Sequence, residues 1–173
     1  MKGLIVGIDA SLSSTGVVMG NVHRWQWRLF KSQNHGQRPL QRLERYARLA
    51  NGIIEWLKPE DVGAVYIEGY AFSRHSQSVT GLYEFGGLLR YHLASVTPKI
   101  IEVAPSTLKR FATGKGNAKK DFVLACIRDR WGELFESDDV GDAFALFQFG
   151  LCHSGLKEAS TKLMRECVEK VTA

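Results

Sequence analysis

The sequence predicts an α/β fold in which a mixed five-stranded sheet carries helices on both faces. Three short apolar runs come first, and only short polar turns separate them, which favours antiparallel pairing of the first three strands. Two further apolar runs alternate with helical patterns, and helical patterns alone then follow. A chain of 173 residues, 45% hydrophobic and 24% charged, has the size and composition of one domain. We expect that domain to span 1–173, with a core over about 4–153.

The first three strands are predicted at residues 4–9, 15–19 and 25–29. The first is a continuous apolar run that ends at Asp9, and small polar residues turn the chain into the second. In the third, apolar and polar residues alternate, so one of its faces is expected to be buried. A helix is predicted from Leu40 to the residue before Pro59, because proline does not continue a helix.

That first helix carries two stripes at helical spacing. The apolar stripe is expected to form its core face and comprises Leu43, Ala47, Ala50, Ile54 and Leu57. The basic stripe lies beside it and comprises Arg38, Arg42, Arg45 and Arg48.

The second half of the chain alternates strands and helices. A strand over 62–68 ends at Glu68, and a helix capped by Ser78 runs to about residue 94. Each of its glycines lowers the stability of the helix by roughly 1 kcal/mol relative to alanine. We expect that these positions are glycine because another backbone approaches the helix closely there. These glycines are Gly81, Gly86 and Gly87.

The last strand is predicted at 100–103, and four helical segments follow it. Pro105 starts a short helix, and Asn117 is expected to cap a helix that runs through residue 130. Ser137 is expected to cap a helix over 138–149, and a polar helix is predicted over 157–171.

Charge and cysteine content narrow the possible functions. The net charge is +5, and residues 24–48 and 107–130 each carry seven basic side chains, whereas residues 133–142 carry five acids and no base. Basic blocks beside an acidic one favour a polyanionic substrate at a metal site. Three cysteines without CxxC spacing argue against zinc and favour a reducing compartment. Without a signal-peptide pattern or an apolar run near 20 residues, we expect a cytoplasmic protein with no membrane partner.

Four carboxylates stand at the ends of predicted elements. Asp9 and Glu68 each end a buried strand, where a carboxylate is costly unless it binds something. Asp139 and Asp142 share a helix face at spacing i, i+3, and Asp138 is an alternative to Asp139. Strand-end capping or favourable charge at a helix N-terminus would explain some of these acids, but Asp142 less well. Oxygen ligands of this kind suit a pair of Mg²⁺ or Mn²⁺ ions.

Several segments together resemble the RuvC family of Holliday junction resolvases, within the ribonuclease H-like superfamily. The acidic segments are GIDAS at 7–11 with TG at 15–16, IE at 67–68 and DVGDA at 139–143. The basic segments are VAPSTLK at 103–109 and TGKGNAKK at 113–120. The resemblance covers about residues 4–149, and the four acids in order around the Gly-x-Gly segment make it specific.

The resemblance implies an active site and a substrate. Asp9, Glu68, Asp139 and Asp142 would bind two Mg²⁺ or Mn²⁺ ions for phosphodiester hydrolysis, and Lys120 would act beside them. The substrate would be a four-way DNA junction, nicked in pairs by a homodimer formed partly through the helix after Glu68. The residues expected to contact DNA are Lys109, Lys115, Lys119, Lys120, Tyr70, Phe72, Arg42 and Arg45.

The chain also departs from the family pattern. Ala10 stands where the family usually has proline, and the loop aromatic that stacks on a base is shifted to Tyr70 or Phe72. These departures favour a divergent member, for instance one encoded by a phage.

The same residues also allow other functions to be considered. A flap- or fork-cutting nuclease of the same fold remains an alternative, as does a junction-binding protein without catalysis. The GIDA motif also opens sugar kinases and actin-like ATPases, but that fold needs roughly twice this length. The GKG segment at 114–116 lacks the spacing of a nucleotide-binding loop, so no nucleotide cofactor is expected.

Overall fold

The structure is a computed structural model that describes residues 3–32, 38–70 and 77–171, except for the side chains of 77–79. Its strands are β1 (Leu4–Asp9), β2 (Ser14–Gly20), β3 (Trp25–Lys31), β4 (Val62–Glu68) and β5 (Ile100–Val103). Its helices are α1 (Pro39–Leu57), α2 (Gln77–Leu93), α3 (Pro105–Thr113), α4 (Lys120–Trp131), α5 (Asp138–His153) and α6 (Lys162–Glu169).

The five strands form one mixed sheet in the order β3-β2-β1-β4-β5, which confirms the predicted fold class. β1 and β2 pair antiparallel, as do β2 and β3, whereas β4 is parallel to both β1 and β5. Asp9 lies opposite Gly16, and Glu68 lies opposite Val103. The ends of β1 and β4 therefore carry their carboxylates to the same end of the sheet.

Helix α5 packs directly on one face of the sheet because two strand glycines leave room for its backbone. A Cβ atom at Gly7 would collide with the Ala143 carbonyl oxygen and the Phe147 amide, and one at Gly16 would collide with the Asp139 carbonyl. The helix is buried from Val140 onward for most of its length. This close contact brings the first turn of α5 to the end of the sheet where β1 terminates.

Helices α1 and α2 cover the opposite face, but α1 is rotated relative to the prediction. Its buried residues are Tyr46, Leu49, Ala50, Ile53, Ile54 and Leu57. Leu43 is instead 44% exposed, and Ala47 is only half-buried. The cause is the contact with α2, where the Tyr46 ring packs 5.7 Å from that of Phe85. The predicted apolar stripe was therefore wrong at Leu43 and Ala47.

The glycines of α2 make room for tyrosine side chains and not for another backbone. A Cβ at Gly81 would lie 2.6 Å from the Tyr46 hydroxyl, and one at Gly86 would lie 2.6 Å from the Tyr70 hydroxyl. Nothing in the described chain lies within 4 Å of a Cβ at Gly87. The expectation of close backbone approach was therefore wrong for the first two.

Several helix boundaries differ from the predictions. α4 begins at Lys120 and not after Asn117, because residues 115–118 form a turn in which the Ala118 amide donates to the Lys115 carbonyl at 3.3 Å. α5 follows Ser137 as predicted, but the serine side chain makes no capping hydrogen bond and the helix continues to residue 153. α6 is shorter than predicted, and its N-cap is Thr161. No helix in the described ranges is both long and apolar enough to span a membrane.

Candidate active site

Four carboxylates from three elements line one cleft at the carboxyl end of β1. Asp9 ends β1, Glu68 ends the neighbouring parallel strand β4, and the first two turns of α5 provide Asp139 and Asp142. Two lysines complete the charged lining, Lys109 from α3 and Lys120 from the start of α4. The structure thus brings together side chains that are up to 133 residues apart in sequence.

The cleft is electrostatically unfavourable for its own carboxylates. Asp9 is only 8% exposed, and this burial raises its pKa well above the ordinary value, with further increases from the charges of Glu68, Asp142 and Asp139. Burial, with the charge of Asp142, raises the pKa of Glu68 to about 7. Burial also raises the pKa of Asp142 to about 6. Such a group of acids holds its charge near neutral pH only beside a cation.

The donor set fits a hard divalent cation, because all four acidic groups offer carboxylate oxygens. The two lysines in the lining are not expected to serve as metal ligands. Within the described residues, no group of three or more carboxylate, imidazole or thiol side chains is placed to hold a metal ion as it lies. Asp139 is turned toward β2, where Ser14 Oγ donates a hydrogen bond to its Oδ2. Ligation by three or more of these acids therefore requires side-chain adjustment.

Lys120 lies at the rim of the cleft and remains charged. Burial by itself lowers the pKa of Lys120, but the attraction of the neighbouring aspartates outweighs it and raises the pKa overall. Its Nζ lies 3.6 Å from Oδ2 of Asp138. Asp138 and Asp139 were the two alternative metal ligands at the start of α5. Asp139 lines the cleft, whereas Asp138 forms this ion pair with Lys120.

The other lysines of the basic segment lie outside the cleft lining. Lys115 and Lys119 are exposed in the connection between α3 and α4. Lys115 Nζ lies 5.7 Å from the ring centroid of Phe122, and Lys119 is the residue that precedes the first turn of α4.

The predicted stacking residue Tyr70 is packed against α2. The Arg90 guanidinium lies 4.5 Å from its ring centroid, the Tyr83 ring lies 4.8 Å away, and Arg90 Nη1 donates to its hydroxyl at 3.3 Å. These contacts fix the position of the partly buried ring, and its role as a base-stacking platform stays a prediction. The alternative, Phe72, lies outside the described residues.

The two arginines predicted to hold a DNA arm have different environments. Arg42 donates two hydrogen bonds of 2.7 Å to the carboxylate of Glu84 on α2, which offsets its charge within the protein. Its contact with DNA stays a prediction. Arg45 lies over the ring of Tyr46, 5.0 Å from the centroid, and lines a second cleft together with Arg48.

Sequence reasoning missed Ser14 and the roles of two glycines. Ser14 begins β2 and bonds to Asp139, although 125 residues separate them. Gly7 and Gly16 belong to the segments that carried the family resemblance, but their contacts with α5 depend on the packing of the sheet. Glycine on the same face of two adjacent strands was the available signal.

The fold and the cleft define the class of the protein. A mixed sheet in this order, with carboxylates at the ends of β1 and β4 and at the start of a helix on the sheet, is the arrangement of ribonuclease H-like nucleases. The family model "Crossover junction endodeoxyribonuclease RuvC" matches residues 5–153. The chain therefore belongs to the RuvC family, a family of metal-dependent endodeoxyribonucleases, as the sequence predicted.

Relatives with this description cover nearly the whole chain. The chain is 30% identical over 167 residues to a crossover junction endodeoxyribonuclease RuvC of Chlamydia muridarum, an alignment that covers 90% of this chain and 94% of the relative. It is 26% identical to that of Treponema denticola, over 84% of this chain and 83% of the relative.

Solved structures share the fold at lower sequence identity. The Thermus thermophilus RuvC structure matches with a TM-score of 0.68 and 16% identity, over 98% of both chains. T. thermophilus RuvC in complex with a Holliday junction substrate also has a TM-score of 0.68, with 18% identity over 88% of this chain and 93% of that one. A yeast mitochondrial Holliday junction resolvase matches with a TM-score of 0.56 and 13% identity, over 95% of this chain and 83% of that one.

Proposed function

We propose that the protein resolves four-way DNA junctions by Mg²⁺- or Mn²⁺-dependent hydrolysis, with each protomer of a homodimer nicking one strand. The observation that carries the proposal is the burial of Asp9 among three further carboxylates, with a lysine at the rim. A neutral ligand would leave these charges uncompensated, whereas divalent ions and a phosphodiester supply the matching charges.

The acids would hold the metal ions, and the lysines would hold the substrate. Asp9, Glu68 and Asp142 are the proposed ligands of two ions, with Asp139 in support. When bound, such ions lower the pKa of an attacking water and stabilise the charge on the leaving 3′ oxygen. Lys120, with Lys109, would neutralise charge on the phosphate to be cut. Lys115 and Lys119, exposed beside the site, would contact neighbouring phosphates.

The outer face of α2 supports a homodimer. Tyr91 is 78% exposed, Tyr83 is 37% exposed, and the space beside Gly87, which lies between them on the helix, is open. Exposed tyrosines around a glycine allow a second helix to approach and bury aromatic surface. A dimer through α2 would present two clefts to one junction, and this pairing would lead to paired nicks.

The test is cleavage of a labelled four-way junction, compared with linear duplex, flap and fork, in Mg²⁺, in Mn²⁺ and in EDTA. We expect paired nicks in opposite strands of the junction with either metal and none in EDTA. Cutting of every branched substrate would indicate a broader nuclease on the same site. Binding without cutting in either metal would contradict catalysis and leave a junction-binding protein.

The variant Asp9→Asn tests whether the acidic cleft is the site of DNA cleavage. We expect cleavage to fall by more than about a hundredfold with junction affinity in EDTA retained, since even outer partners of metal ligands cost 10–100-fold when removed. Asp61→Asn is the matched control, because Asp61 is exposed and precedes β4 at the other end of the sheet. Equal loss of binding and cleavage in Asp9→Asn would rule out its proposed role as a metal ligand.

A further inference from the structure

A second cleft opens between the end of β3 and helix α1, apart from the acidic site. Lys31 and Ser32 line it from the strand side, and Arg45, Arg48 and Gly52 line it from α1. Three of its lining residues are cationic and none is acidic. It therefore has the opposite charge character to the cleft around Asp9.

For two cations of this cleft, no salt bridge offsets the charge within the part of the chain that the structure describes. Among the described residues, no acidic side chain forms a salt bridge with Lys31 or Arg48. The Arg28 guanidinium adds a further positive charge beside it, 5.7 Å from the ring centroid of Phe30 and 6.0 Å from that of Trp56. Arg42, one turn earlier on α1, is by contrast neutralised by Glu84. Cations concentrated in a concave surface attract anions.

The register of the sheet places this cleft at the same end as the acidic site. Lys31 lies opposite Ser14, and the Ser32 amide donates to the Ser13 carbonyl at 2.9 Å. On the other side of β2, Gly16 lies opposite Asp9. β3 is two strands from β1 in the sheet. The cleft lies along α1, on one face of the sheet, whereas Asp9 and Asp139 lie on the face covered by α5. The two sites therefore lie at the same end of the sheet but on opposite faces.

We propose that this cleft, formed by Lys31, Arg45 and Arg48, binds a backbone phosphate in an arm of the junction, outside the acidic site. The proposal rests on the proposed function in taking DNA as the substrate. Cations that contact only phosphates hold DNA without reading its sequence. The cleft would thus hold one arm of the junction on the face of the sheet opposite the metal site.

The first test removes two of these cations and follows the salt dependence of binding. In EDTA, the double variant Lys31→Ala with Arg48→Ala should bind the junction roughly tenfold or more weakly at 0.1 M KCl. The slope of log affinity against log salt should become shallower by about 1, since one lost phosphate contact contributes about 0.9. Arg45 is left in place, because its contact with Tyr46 belongs to the α1 core.

The matched control removes the same charge at the opposite ends of the same two elements. Arg24 precedes β3 and Lys58 follows α1, and both are exposed. Arg24→Ala with Lys58→Ala should leave the affinity and the salt slope close to those of the wild type. If both double variants change the slope equally, the effect is one of net charge and the proposal is wrong.

The second test locates the phosphate. Single phosphates along the junction, beside the cut site and in the arms, are replaced by uncharged methylphosphonates, and the affinity is measured for the wild type and the double variant. At one position in an arm, neutralisation should weaken binding by the wild type but not by the variant. Equal effects on both proteins at every position would overturn the proposal.

Failure of this proposal can be told apart from failure of the proposed function. If the wild type cuts junctions but the Lys31→Ala, Arg48→Ala variant keeps the wild-type affinity and salt slope, only the proposed phosphate site is wrong. If the wild type binds linear duplex through this cleft but cuts no junction, only the proposed resolvase function is wrong. If the wild type binds no DNA, both proposals are wrong.

Discussion

At the scale of single residues, the acidic cleft is a set of charges that the folded chain cannot balance by itself. Asp9 is almost fully buried, and the lysines at the rim offset only part of the mutual repulsion of the acids. The raised pKa values of Glu68 and Asp142 express that repulsion as well as their burial. The residues that create the site therefore oppose folding when no cation is bound.

This conflict predicts a pH-dependent stability of the metal-free protein. The pKa of Glu68 rises from 4.5 to about 7 on folding, so the folded protein binds more protons than the unfolded chain between these values. Its stabilising contribution is complete below pH 4.5 and is lost as the pH rises through 7. Glu68→Gln stays uncharged, so in EDTA its Tm should match that of wild type near pH 4 and exceed it near pH 8. At pH 8 its free energy of unfolding should be higher than that of wild type by on the order of a few kcal/mol.

The measurement is thermal unfolding of both proteins from pH 4 to pH 8, with EDTA and with Mg²⁺. We expect Mg²⁺ to remove most of the advantage of Glu68→Gln, because the ion stabilises the charged carboxylate of the wild type. Parallel Tm curves for the two proteins in EDTA would contradict the raised pKa.

Ser14 is predicted to position Asp139 for metal binding. Ser14→Ala removes the hydrogen bond to Asp139, and Mg²⁺ affinity should fall by about tenfold or more, as for other partners of metal ligands. Calorimetric Mg²⁺ titration measures this directly, and Ser14→Thr should restore most of the affinity. Ser13→Ala is the control, because the hydroxyl of this exposed neighbour contacts the Ser11 hydroxyl and not an acid among the described residues. An unchanged Mg²⁺ affinity in Ser14→Ala would exclude the positioning role.

At the scale of elements, the site depends on how closely α5 approaches the sheet. Gly7 and Gly16 are the points where its backbone contacts β1 and β2, and the same helix carries Asp139 and Asp142. Any displacement of α5 would separate these two acids from Asp9. Strand packing and metal-site geometry are therefore coupled through two glycines.

Gly7→Ala should both destabilise the protein and impair cleavage. The added methyl group would collide with the backbone of α5 and not with a flexible side chain, so a cost of about 3 kcal/mol or more is expected, lowering Tm by roughly 6–12 °C. Gly52→Ala is the control, since its nearest atoms are those of the Phe30 ring at 3.8 Å and α1 should gain up to about 1 kcal/mol. Thermal unfolding and junction cleavage are measured for both variants. A Gly7→Ala protein with the Tm of wild type would contradict the close contact between β1 and α5.

At the scale of the whole molecule, the outer face of α2 is exposed to solvent along Gly87 and Tyr91. Its inner face packs on α1 through Phe85. A junction has two strands to cut, and each chain has one acidic cleft among its described residues. In the proposed homodimer, a second copy of the chain would supply the second cleft.

Disrupting the outer face of α2 should separate the protomers without unfolding them. Gly87→Arg with Tyr91→Asp should sediment as a monomer with native circular dichroism, and its junction nicks should become unpaired. The matched control is Val22→Asp with Leu134→Asp, which alters two exposed apolar residues elsewhere and should remain dimeric. A dimeric Gly87 and Tyr91 variant, measured by sedimentation velocity, would show that another surface forms the dimer.

The amino-acid sequence was sufficient to predict the order and type of the strands, the mixed sheet and the four acids that line the cleft. These features are readable because apolar periodicity is local, and because a carboxylate at the end of a buried strand stands out from its neighbours. The family motifs added the grouping of the acids with Lys109 and Lys120.

The pairing of side chains between elements became visible in the folded structure and could not be predicted from the sequence. The structure showed that Arg42 is bound by Glu84, that Tyr70 is packed against Arg90, and that Ser14 holds Asp139. The rotation of α1 and the use of Gly81 and Gly86 likewise depend on tyrosines that arrive from other elements. The physical reason is that such contacts depend on the relative orientation of whole elements, which local periodicity does not specify.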